Sequence, residues 1–93
     1  MLDAVSLPAG VERVRTTPEL TAESVPAGLL QAHRLASAVW GCVRVLDGVV
    51  TFVLETTGES RRLVAGEHQV IEPGVAHHVE PQPGAVFLID FYR

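Results

Sequence analysis

From position 47 to the C-terminus, turn-forming pairs recur every eight to twelve residues: Asp47-Gly48, Thr57-Gly58-Glu59, Ala65-Gly66, Pro73-Gly74 and Pro83-Gly84. Gly and Pro tolerate the backbone angles of tight reversals and interrupt regular elements, so no helix of ordinary length fits between these breaks. The segments they bound are rich in valine, the commonest residue in the chain. Short β-branched runs between turns read as strands. Val39 to Leu46, Val49 to Glu55, Arg61 to Ala65, Gln69 to Glu72, Ala76 to Glu80 and Ala85 to Tyr92 are the strands expected, with Asp47-Gly48 as the clearest hairpin turn.

The first third is less regular. Glu12 to Thr16 alternates like an edge strand whose charged residues guard one face. Thr17 and Pro18 suit the cap and first position of a short helical turn. Ser24 to Gly28 reads as a loop, and Leu29 to Arg34 as a turn leading into an extended segment. With no repeat, linker or low-complexity run, residues 1–93 are expected to form one all-β domain, a sandwich or small β-barrel, with about the first ten residues loosely ordered.

A chain of 93 residues buries only about 60% of its unfolded surface. The core must therefore be efficiently packed or shared with a partner chain, and the edge strand at Glu12 to Thr16 with the terminal apolar strand at Ala85 to Tyr92 invites a homodimer. Seven arginines and no lysine stand against eleven acidic residues, for a net charge of −4. That balance argues against nucleic acid or an anionic membrane as partner. No apolar run reaches the roughly 20 residues a membrane helix needs, and the start lacks the basic and apolar regions of a secretory signal. Cytoplasmic and reduced is the resulting expectation, with the lone Cys42 a small buried hydrophobe.

Chemistry is concentrated in four histidines: His33, His68, His77 and His78. Gly66, five residues, Glu72-Pro73-Gly74, two residues and His77 together resemble the second motif of the cupin family, in which a tight turn ends one strand and the returning strand projects an imidazole inward. The first cupin motif matches poorly. Val45-Leu46-Asp47-Gly48 fits its closing part, but Gly41 stands at the glutamate position and Arg34 to Ser37 at the paired histidines, with His33 just outside the register. The four-ligand cupin set is therefore absent.

A wider resemblance covers most of the chain. Thr17-Pro18-Glu19, Val25 to Leu30, His33, Val39-Trp40-Gly41, Val45 to Gly48, Val70 to Pro73, His77 to Pro81 and Phe91-Tyr92-Arg93 are similar to the small cupin domain of the TehB-like tellurite-resistance family. The resemblance implies an antiparallel jelly roll, found alone or ahead of a methyltransferase. It also implies a divalent metal near His33, Glu72 and the His77 to Glu80 run. This chain has no Gly-x-Gly-x-x-Gly turn after a strand to hold an adenosyl cofactor.

Strand parity sorts these residues in part. His77 shares a face with Val75 and Val79, whereas His78 and Glu80 share the opposite one. Glu72 shares parity with Val70, Ile71 and Gln69 take the other face, and alternation alone leaves its direction open. Glu72 could equally pair with Arg44 or Arg62. His68 and His78 read as surface residues, Glu80 as a solvated carboxylate and Trp40 as core or pocket wall. The metal ligands the resemblance implies are His33, His77 and Glu72. Such a set suits zinc, iron(II), nickel or manganese and leaves coordination positions open for a small molecule or oxyanion. The expected function is a binding module; the alternative is a metal-dependent oxygenase or isomerase whose catalytic residues the sequence does not identify.

Overall fold

Alternation along each strand decides which residues the fold buries. In Val49–Leu54 the side chains of Val50 and Phe52 are buried, and in Val86–Tyr92 those of Phe87 and Ile89. Each row covers one face of a sheet, and two such sheets close over a common core. The computed structural model describes residues 2–31 and 34–93. It contains strands β1 (Arg13–Thr16), β2 (Leu20–Thr21), β3 (Trp40–Asp47), β4 (Val49–Leu54), β5 (Ser60–Val64), β6 (His68–Ile71), β7 (His77–Pro81) and β8 (Val86–Tyr92). Two 3₁₀ turns, Leu2–Ala4 and Ala27–Leu30, complete the regular structure.

One sheet has the order β1-β8-β3-β6, with β2 also paired to β8, and the other β5-β4-β7. Every ladder is antiparallel. The described strands thus form a sandwich of two separate sheets. Val43, Val45, Val50, Phe52, Leu63, Ile71, Val79, Phe87 and Ile89 fill the space between them. Among the described residues no helix is long and apolar enough to cross a membrane.

The six expected strands from Val39 onward are all present, displaced by a residue or so at their ends. Two local expectations are corrected. Asp47-Gly48 is a corner and makes no hairpin: β3 pairs with β6 and β8, while β4 leaves for the other sheet to pair with β5 and β7. From β3 onward only the β4–β5 connection stays within one sheet. Gly48 is suited to the corner by its φ of +72° and its close approach to Ala85, whose Cα would lie 2.9 Å from an added Cβ.

Thr17-Pro18 does not start a helix. The Thr17 amide donates to the Ile89 carbonyl at 2.9 Å, and the Ile89 amide donates to the Thr17 hydroxyl at 3.1 Å. The chain then continues along β8, pairing Leu20 with Phe87. Strand β1 is a sheet edge as expected, whereas β8 lies between β1 and β3 and presents no free edge. At the N-terminus Leu2 is buried, and its carbonyl accepts from the buried Gln69 side chain at 2.7 Å.

Candidate functional site

His77 opens β7, directly after the Pro73-Gly74 reversal, and its side chain points between the sheets. It is 3% exposed, beside the buried Val79. The imidazole stacks on Phe52, with ring centroids 5.4 Å apart. Its Nδ1 lies 2.9 Å from the carbonyl oxygen of Val75. A carbonyl only accepts, so Nδ1 carries the proton in this bond. A ring whose orientation is set by a backbone carbonyl is also a feature of metal-ligating histidines.

The other two expected ligands are not placed beside it by the described structure. His33 lies outside the described residues. Glu72 follows β6 and is exposed. In β6 the inward row is Gln69 and Ile71, opposite Val43 and Gly41 of β3. That register puts Val70, and the parity Glu72 shares with it, on the outer side. Glu72 has no ion pair with Arg44, which is bound to Asp90. Among the described residues no three His, Cys, Asp or Glu side chains converge as a metal-binding group.

His78 behaves as parity predicts, lying on the outer face of its sheet, but it is not merely a surface residue. Its Nδ1 meets Glu55 of the adjoining β4–β5 segment, and its Nε2 meets Glu80 at 2.6 Å. With a carboxylate on each ring nitrogen, these contacts favour the protonated ring, in which both nitrogens donate. The bond to Glu80 raises its pKa above the usual histidine value; burial opposes the rise and Glu55 adds to it. The His78-x-Glu80 spacing on one strand face was the available sequence signal.

Asp90 is a buried carboxylate that the sequence reading missed. Arg44 donates to it through Nε at 2.6 Å, and the Thr16 hydroxyl donates at 2.5 Å. Burial pushes its pKa upward, but Arg44, Thr16 and the more distant Arg13 outweigh that effect and hold it below the ordinary carboxylate value. Asp90 is opposite Cys42 in the β3–β8 ladder. Burial, and then the Asp90 charge, push the Cys42 thiol up to about 11. Cys42 is the buried hydrophobe expected from its sequence setting.

A larger opening lies where the loop between β2 and β3 faces β1 and β8. The groove has a volume of about 690 Å³, and its walls include Leu20, Leu29, Leu35, Val39, Ile89 and Phe91. Among the described residues Arg15 and Arg34 are its only charged lining residues. His77 is not among the residues lining it.

Comparison with solved structures places the fold among known ones. A crystal structure of a protein from E. coli strain K12 superposes with a TM-score of 0.89 at 22% identity, covering 96% of each chain. TehB from Haemophilus influenzae superposes with a TM-score of 0.79 at 23% identity over 88% of this chain. The match takes in only 31% of that TehB chain. A Neisseria meningitidis protein matches with a TM-score of 0.55 at 14% identity, over 98% of this chain and 90% of that one. No curated protein matches the sequence. Residues 15–87 match the TehB-like domain, most of the length of the chain, and the protein belongs to the TehB-like family.

Proposed function

We propose that this TehB-like domain is a binding module that holds one divalent metal through Nε2 of His77 together with His33, and offers its open coordination positions to a small anionic ligand. The observation that carries the reading is the Nδ1 bond from His77 to the Val75 carbonyl, which orients a buried imidazole between the sheets. Glu72, exposed beyond β6, supports the reading less than His77 does. The metal would supply Lewis acidity and charge toward an oxyanion. A part in tellurite or oxidant stress follows from the family's name and belongs to the same proposal, as does pairing of two copies through the β1 edge.

Binding is favoured over turnover because Asp90, the one buried carboxylate among the described residues, is engaged by Arg44 and Thr16. It is therefore not available as a general base. The test is a melting series of untagged protein with zinc, iron(II), nickel and manganese. At least one metal should raise the Tm in wild type and in Glu72→Gln, and fail to do so in His77→Ala and His33→Ala. No rise with any of the four would end the metal reading.

A further inference from the structure

The groove facing β1 and β8 carries a charge pattern at odds with the chain as a whole. The protein has a net charge of −4, yet among the described residues the charged ones lining the groove are both arginines, one on each wall. On the sheet side the Arg15 guanidinium lies 5.3 Å from the ring centroid of Phe91, another lining residue. Arg15 has no carboxylate partner among the described residues. On the loop side Arg34 donates to the Gly74 carbonyl at 2.8 Å, while the Gly74 amide donates to the Leu35 carbonyl at 3.1 Å. This double clasp fixes the loop wall against the β6–β7 turn.

Two further features fix the part of the loop from Leu35 to Gly41. Leu35 is buried over Gly41, where an added Cβ would stand 3.0 Å from its Cδ1, so the loop packs on bare backbone. Ala38 adopts a φ of +66°. A non-glycine residue in that region is strained by its surroundings, and such strain collects at binding sites. Apolar walls, a few placed polar groups and a volume of about 690 Å³ fall within the range of small-molecule sites.

We propose that this groove binds a small organic monoanion, a carboxylate with an extended apolar body, whose charge is answered by Arg15 and Arg34 while the body lies on Leu29, Leu35, Ile89 and Phe91. The proposal goes beyond the metal-site reading and does not rest on it, since His77 is not a lining residue and the groove is a second site. An uncharged chain would leave both guanidiniums unanswered, and a bare anion would leave the apolar walls wet.

The experiment uses the whole chain after treatment with a chelator, so that failure of the metal reading does not affect it. Decanoate, decan-1-ol and acetate are titrated calorimetrically. Decanoate should bind at one site per chain, decan-1-ol at least about tenfold more weakly, and acetate not measurably. Arg15→Gln combined with Arg34→Gln should weaken decanoate about tenfold or more without lowering the Tm by more than a few degrees. Gly28 lines the groove, its φ is not positive, and nothing lies within 4 Å of an added Cβ. Gly28→Trp should therefore fold normally and abolish decanoate binding. Equal binding of decan-1-ol, unchanged binding in the double arginine variant, or no decanoate binding would overturn the proposal. So would a wild-type dimer that Gly28→Trp converts to monomer, since the groove would then be covered by a second copy.

Discussion

The His77 imidazole donates a hydrogen bond from Nδ1 to the carbonyl of Val75, two residues earlier in the same chain, across 2.9 Å. Both residues lie just after the Pro73-Gly74 turn, so the reversal that delivers His77 into the sandwich also supplies the acceptor that orients its ring. Phe52 closes the other side by stacking. Phe52 is almost fully buried, so Phe52→Ala should cost about 3–5 kcal/mol of stability. Denaturant unfolding measures this; a cost under about 1 kcal/mol would mean the ring and the imidazole are not packed as described.

His78 should make stability depend on pH in the alkaline direction. Its folded pKa is raised by Glu80 and Glu55, above an unfolded value of about 6.5. A raised folded pKa contributes stability that is fully present below the unfolded value and lost as pH rises through the folded one. The Tm deficit of His78→Gln should therefore be larger at pH 6 than at pH 9. An equal deficit at both would show that the double ion pair contributes nothing.

Asp90 should act in the opposite direction. Its folded pKa lies below the ordinary carboxylate value, so its contribution is present above the unfolded value of about 3.9 and lost as pH falls through the folded one. Asp90→Asn should cost about 1–3 kcal/mol at pH 7, with the cost shrinking below about pH 4. Chemical denaturation at pH 7 and pH 3 separates this from a pH-independent packing loss.

Much of this was legible in the sequence, and the omissions share a cause. Valines alternating about His77 and the glycine-proline punctuation are local signals, and they located the strands and the inward imidazole. Asp47-Gly48 has the chemistry of a hairpin turn, but nothing local says that β4 pairs with β5 and β7 instead of returning to β3. Thr17-Pro18 has the chemistry of a helix start, and it is overridden by the bond between Thr17 and Ile89 of β8, 72 positions away. Asp90 stands in an apolar run, and its partner Arg44 lies 46 positions away. For Glu72, alternation balanced Val70 against Ile71. Register with β3 resolves it, because the inward position opposite Val43 is taken by Gln69, which binds the Leu2 carbonyl.

Two glycines separate steric crowding from backbone strain. Gly48 and Gly66 have φ of +72° and +89°, but an added Cβ at Gly48 would meet Ala85, whereas at Gly66 nothing lies within 4 Å. Gly66→Ala should cost about 1 kcal/mol from conformation alone, and Gly48→Ala distinctly more. Equal costs in denaturant titrations would place the sheet-crossing corner differently from the arrangement described.

Cys42 should be unreactive in the native protein. It is buried, and its thiol is pushed up to about 11, so very little thiolate is present at pH 8. Iodoacetamide at that pH should label unfolded chain within minutes and leave folded chain unlabelled over the same time. Prompt labelling of the folded protein would contradict this.

The most direct test of the account is the metal content, by elemental analysis, of untagged wild type, His77→Ala and His78→Ala after loading with the metal that raises the Tm most, with folding checked by circular dichroism. His77 faces between the sheets and His78 faces outward. The account predicts about one metal per chain in wild type and in His78→Ala, and loss of that metal in folded His77→Ala. Full occupancy in His77→Ala, or loss confined to His78→Ala, would contradict it.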